Sequence, residues 1–399
     1  MQQSTPERAR HPRLAEFSLA LGGFGIGTSE FVIMGLMNRV ADDLAVSVPQ
    51  AGYAISSYAL GVVVGAPLIA SLAARAPRRG LLIVLMLMFA LGNVASAMAP
   101  GFASFVGLRF LAGLPHGAYF GVAALVAAGA VPVDQRARAV SRVMLGLTVA
   151  ILIGAPLGTW AGNQFGWQIA FAAVGVNALI TALCIRLWVP VQPVDALASP
   201  LRELSALFKS RVLMTLAVAC FGCGGMFAIF SYVMPTLTHQ AGMNEALGPL
   251  VLVVFGLGTL LGNVVGGRAA DKNLMRAIPV ILVWCAVIQG LFYFTASNIW
   301  TGLFSVALVG TSIALAPALQ TRLMDVAEDA QTMAASLNHA AFNGANALGA
   351  WLAGLAISAE LGWSSTGLVG TGLALCGLVL FALGQRLEKA STVPTAGMR

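Results

Sequence analysis

Twelve stretches of this chain are each long and apolar enough to cross a bilayer, and that repetition constrains its folding more than any other feature. A membrane-crossing helix needs about 20 mostly apolar residues, because its backbone groups must bond within the segment once water is gone. The stretches run approximately over 14–36, 50–74, 81–99, 104–131, 141–163, 168–189, 212–237, 248–267, 277–296, 300–321, 333–357 and 364–384. Only 9% of the residues are charged and 58% are hydrophobic. A soluble chain carries roughly 25% charged residues, so there is too little polar surface here for a water-facing exterior. That excludes a soluble enzyme, a disordered scaffold and a secreted disulfide module. The predicted fold is an all-α membrane protein of twelve transmembrane helices, with both termini on one side.

The basic residues say which side. Of the 22 Lys and Arg residues, only Arg39 and Arg109 lie outside the tails and the even-numbered loops. Cytoplasmic loops concentrate Lys and Arg, so both termini are expected in the cytoplasm of a bacterial cell, with the chain in its inner membrane. The net charge of +7 is then a topology signal, and no nucleic-acid partner is expected. Arg8, Arg10 and Arg13 ahead of an apolar run mimic a secretory signal. The run is too long for one, and is expected to stay as the first span.

The loop at 190–211 is the longest and holds Pro190, Pro193 and Pro200. It divides the chain into an N-terminal six-helix half (1–189), a cytoplasmic linker (190–211) and a C-terminal six-helix half with a short tail (212–399). An offset of 197 residues lays Gly61 on Gly258, Gly65 on Gly262, Arg75 on Lys272 and Arg79 on Arg276. Two pseudo-symmetric halves of this kind form a known transporter architecture, with substrate held between them near mid-bilayer. A symmetric scaffold without transport is the alternative.

Glu30 is the acid set deepest in a span, roughly 20 Å from the terminal end of the first helix at 1.5 Å per residue. A carboxyl group out of water favours its neutral form. Glu30 is therefore a candidate proton carrier, protonated when sealed and ionised when water reaches it; a structural hydrogen bond between helices is the alternative. Gly23, Ile26, Thr28, Phe31, Met34 and Met37 lie near it on the same helix. Arg109 is the basic residue at membrane depth. Arg109, Gly113, His116 and Phe120 recur at intervals of 4, 3 and 4, which places them on one helix face. Gly113, Gly117 and Gly121 form an adjacent ridge for close packing. Arg109 and His116 are candidates for proton or substrate contact, with a neutral His116 bonded to a neighbouring helix as the alternative. In the eleventh span His339, Asn343 and Asn346 form one polar stripe, suited either to a hydroxylated or amide-bearing substrate or to helix–helix bonding. Phe31, Met34, Tyr119, Phe120 and Trp160 are candidate apolar contacts to substrate; Gln289 and Gln320 read as interhelical bonds. Cys220 and Cys223 have redox spacing, but no thioredoxin-like βαβ pattern surrounds them. The sequence holds no phosphate-cradling Gly-Lys-Ser/Thr loop and no metal-ligand spacing, and no cofactor is expected.

A family resemblance accompanies these features. The run from Gly65 to Arg79 resembles the loop 2–3 signature of the major facilitator superfamily, and the run from Gly262 to Lys272 resembles its second copy. Arg109 through Gly113 resembles the fourth-helix signature. Gly146 through Gly158 resembles the fifth-helix signature of the drug/proton antiporters. Gly27 to Phe31, with Gly35 and Leu36, resembles the first helix of the arabinose-efflux-permease-like exporters, a group that includes chloramphenicol-resistance and nucleoside-efflux relatives. The resemblance implies a proton-coupled antiporter, not an enzyme, that exports small organic molecules such as drugs or sugars by alternating access. Its expected partners are a small-molecule substrate, protons and membrane lipids, and it is expected to act as a monomer. The resemblance implies a cytoplasmic gate at Arg75, Arg79, Asp271 and Lys272, and an antiporter-motif helix bent at Gly154, Pro156 and Gly158. Ala74 departs from the pattern, which carries an acid there; Asp271 keeps the acid in the second half. Uptake or uncoupled diffusion on the same fold, and a membrane redox enzyme using Cys220 and Cys223, are the other readings.

Overall fold

The computed structural model describes residues 12–72, 75–132, 136–191, 209–327 and 331–392, and these residues are helices joined by short connections, with no strand among them. The first span is α1 (Pro12–Gly35) continued by α2 (Met37–Asp43), and the second is α3 (Val48–Ala51) with α4 (Tyr53–Leu72). The third and fourth are α5 (Arg78–Ala97) and α6 (Phe102–Gly129). The fifth is α7 (Arg136–Val149), a π-helical turn over Ala150–Gly154, and α8 (Ala155–Phe165); the sixth is α9 (Gln168–Trp188). In the second half come α10 (Ser210–Ser231) with α11 (Val233–Ala241), then α12 (Gly248–Thr295), which carries two spans. The tenth span is α13 (Ile299–Gly310), a 3₁₀ turn and α14 (Leu315–Ala327); the last two are α15 (Gln331–Ser358) and α16 (Ser365–Thr392).

Among the described residues, eleven helical segments are long and apolar enough to cross a membrane, and the one that includes α12 runs over 51 residues from Glu245 to Thr295. That helix is bent at Asn273, whose φ of −163° and ψ of 94° leave helical space. The Asn273 side chain accepts a hydrogen bond from the Arg276 N–H at 3.1 Å, capping the ninth span where the chain turns back. Twelve crossings result, as the sequence predicts. The expected linker falls largely on 192–208, outside the described residues.

The halves repeat in their closest backbone contacts. A methyl group on Gly61 would overlap the carbonyl oxygen of Phe110, and one on Gly258 would overlap that of Ala307. Gly65 meets the Leu114 carbonyl and Gly262 that of Thr311; Gly113 meets Tyr58 and Gly310 meets Phe255. Each pair is related by the 197-residue offset. Small residues let helices approach to backbone contact, the main source of packing where lipid removes the hydrophobic drive. The sequence repeat is therefore a repeat of helix crossings, α4 on α6 and the first part of α12 on the tenth span.

The halves join on the face away from the chain ends. There Asn38 Nδ2 donates to Glu245 Oε1 at 2.6 Å and to Thr238 Oγ1 at 3.3 Å. Tyr232 donates to the Pro49 carbonyl at 3.5 Å, and Ser56 to the Ala347 carbonyl at 3.2 Å. Phe31 packs on Phe230, which stacks on Phe255. The parts nearest the terminal face, α7 and α14, pack within their own halves.

Candidate functional site

The site starts at Arg109, which is completely buried on α6. A buried guanidinium needs acceptors, and two come from one residue of α1. Nη1 donates to Ser29 Oγ at 2.9 Å and Nη2 to the Ser29 carbonyl at 3.0 Å. The Ser29 hydroxyl donates onward to Asn93 Oδ1 at 2.5 Å. The guanidinium carbon lies 4.2 Å from the centre of the Tyr58 ring and 5.0 Å from that of Phe171, the geometry of cation–π attraction. The Nε atom has no partner among the described residues. Arg109 thus anchors the backbone next to Glu30.

Glu30 follows Ser29 and points the other way, across the interface between the halves. It is 5% exposed, and its Oε1 accepts a hydrogen bond from Asn346 Nδ2 of α15 at 3.3 Å. The polar stripe of α15 therefore faces the first half. At its lower end His339 stacks on Phe120 of α6, with centroids 4.7 Å apart and planes 5° apart. His116 lies beside both rings and shares a hydrogen bond of 3.1 Å between its Nδ1 and the Tyr58 hydroxyl. Asn343 sits between these ends and donates to the His339 carbonyl at 3.0 Å. Glu30, His116, Phe120, His339, Asn343 and Asn346, six positions singled out in the sequence, thus come together on α1, α6 and α15, with Arg109 directly behind them.

The major facilitator superfamily model matches residues 19–282 and 226–398. The chain belongs to the major facilitator superfamily. It is 38% identical over 382 residues to the inner membrane transport protein YdhP of Escherichia coli (strain K12), covering 96% of this chain and 97% of that protein. It is 34% identical over 373 residues to a chloramphenicol resistance protein of Streptomyces lividans, covering 90% and 94%. In fold it is similar to a bacterial homologue of the human lysosomal transporter Spinster, with a TM-score of 0.74 at 17% identity over 96% of this chain and 98% of that one. This facilitator-family chain is therefore a multi-pass membrane transporter.

Other predicted positions stand elsewhere. Tyr119 turns away from the interface and donates to the Leu19 carbonyl at 2.8 Å, holding α6 against α1. Its aromatic body is core, and its hydroxyl takes a backbone partner as buried tyrosines do. Trp160 is half-exposed on the outside of α8, against Phe165. Phe31 and Met34 are buried where the halves meet. Gly154 and Gly158 face α1, where a methyl would strike Thr28 and Val32, while Ile151 and Leu152 reach across to Gly256. Pro156 lies in the first turn of α8, where its missing N–H costs nothing. A π-helical turn over Ala150–Gly154 precedes it.

Among the described residues the expected gate is not assembled. Arg75, Asp271 and Lys272 are exposed, and Asp271 has no ion pair among the described residues. Arg79 donates to the carbonyl of Arg186, tying the loop to the end of α9 in its own half. The reason is geometric: the elements nearest this face pack within separate halves. Ala74 lies outside the described residues. Gln289 is buried, and its amide fits between the Gly370 carbonyl and the Met226 N–H, an interhelical bond. The five cysteines are free.

Tyr58, Ser29 and Asn93 were not singled out from the sequence. Ser29 had a signal, being a polar neighbour of Glu30 at membrane depth. Tyr58 lay one turn before Gly61, and nothing local tied it to His116.

Proposed function

We propose that the chain is a proton-coupled antiporter that exports small organic molecules, with Glu30 as the proton-coupling group. One observation carries the reading: Glu30 is a buried acid of one half whose hydrogen bond is made by Asn346 of the other. Rocking of the halves must break or rebuild that bond. Ionised, Glu30 only accepts hydrogen bonds; protonated, it also donates one. Its charge state therefore changes what it asks of Asn346, and with it the balance between two arrangements of the halves. Arg109 positions Glu30 through Ser29, at the place where a charge has to be stabilised during deprotonation. The distribution of Lys and Arg supports cytoplasmic termini, and the contacts of Asn38, Thr238 and Glu245 then join the halves on the periplasmic side. A proton moving inward down about 100 mV contributes roughly 2.3 kcal/mol, which favours expulsion of the exchanged solute. The name of the chloramphenicol resistance protein points the same way.

The test is flux in inside-out vesicles with an imposed acid interior, screened over drug, sugar, nucleoside and metabolite classes. Accumulation stimulated by the gradient is expected for at least one class. In Glu30→Gln the gradient should stop driving it. Equal flux in both proteins, with and without a gradient, would leave a facilitator.

A further inference from the structure

The central site is rich in acceptors. The nitrogen of Asn343 donates to the His339 carbonyl, which can only accept, so the orientation of that amide is fixed. Its Oδ1 then points elsewhere, buried and without a partner among the described residues. Asn346 repeats the pattern: with Glu30 ionised its nitrogen donates to the carboxylate, and its Oδ1 is likewise buried and unpartnered. Both side chains are at least nine-tenths buried. They lie on the stripe of α15 whose ends contact Glu30 and Phe120 of the first half, so the stripe faces the interface between the halves. An acceptor left unpaired away from water is costly, and the cost is relieved by any ligand that brings a donor.

The charges at this site nearly cancel. An ionised Glu30 is flanked through Ser29 by the permanent charge of Arg109. Of the other groups facing it, Tyr58 and Asn346 are uncharged, and His116 and His339 add no negative charge. A positively charged ligand would therefore find one carboxylate already offset by a guanidinium, and an anion would face acceptor oxygens. Beside the acceptors lies the flat Phe120–His339 stack, which suits an apolar face.

Resting on the reading of this cluster between the halves as the transport site, we infer that its substrates are uncharged molecules carrying two or more O–H or N–H donors on one side and an apolar face on the other. Lipophilic cations are not its cargo. Asn343 is the specificity-determining residue, because its oxygen is unpaired whichever state Glu30 is in.

The experiment is binding to the purified full-length protein in nanodiscs, with no proton gradient, by calorimetry and thermal shift. The probes are phenyl glucoside, its permethylated ether and benzyltrimethylammonium. Phenyl glucoside should bind, the ether should bind roughly tenfold or more weakly, as expected for lost hydrogen bonds, and the cation more weakly still. In Asn343→Leu, which keeps the branched skeleton and removes the acceptor, the advantage of the glucoside over its ether should vanish. Should that variant fail to fold, the order among the three probes on the unaltered protein still decides. Equal binding of glucoside and ether, tighter binding of the cation, or no binding of any probe would overturn the inference. Because binding is read without a gradient, loss of coupling in vesicles and loss of this selectivity are separate failures.

Discussion

At the scale of single residues, the site separates anchoring from exchange. Arg109 makes two hydrogen bonds to one residue and lies over an aromatic ring, a geometry that only a planar fork satisfies. Arg109→Lys should keep the charge and lose the double contact to Ser29. A destabilisation of about 1–3 kcal/mol is expected, measured by unfolding in detergent; an unchanged transition would mean that Ser29 is held by other contacts. Much of this cluster was visible beforehand. Charged groups at membrane depth are few and expensive, so Glu30 and Arg109 stood out, and the helical spacing of His339, Asn343 and Asn346 put them on one face. What could not be read was direction. Tyr119 and Phe120 are sequence neighbours, yet one turns to the Leu19 carbonyl and the other to His339, because consecutive side chains on a helix point about 100° apart.

At the scale of elements, glycine sets how closely the helices approach. Gly113 on α6 and Gly310 on α13 each lie against a carbonyl oxygen of the crossing helix, whereas Gly107, also on α6, has no atom close enough to meet a methyl. Gly113→Ala and Gly310→Ala should each lower thermal stability and folded yield, while Gly107→Ala should leave both within error. Equal behaviour of the three would detach the repeated crossings from stability. The spans themselves were legible because their apolar length is a local property. The bend at Asn273 and the π-helical turn over Ala150–Gly154 were not. The first depends on a cap formed only once the chain reverses, and the second on how α1 packs against α7 and α8.

At the scale of the whole molecule, the contacts between the halves belong to one conformation. The twofold repeat was legible, but the state of the gates was not, since a sequence encodes both states at once. Asp271 and Lys272 stand apart here, while Asn38, Thr238 and Glu245 hold the opposite face closed. Glu245→Ala should loosen that face. Spin labels at Asp42 and Ala246 should then show a larger population at long distance than in the unaltered protein, and an identical distribution would remove the latch.

The offset that superimposes the crossings also pairs Glu30 with Phe227, Ser29 with Met226, Arg109 with Val306 and Tyr58 with Phe255. Duplication preserved the joints and left the carboxyl and guanidinium groups of this cluster in one lobe. A perfectly mirrored pair would hold its two tilts at equal energy and respond alike from either side of the bilayer. With its one carboxyl seat facing an apolar twin, the two tilts are unequal by construction, and acidity acts as a bias on a balance that symmetry alone would leave level.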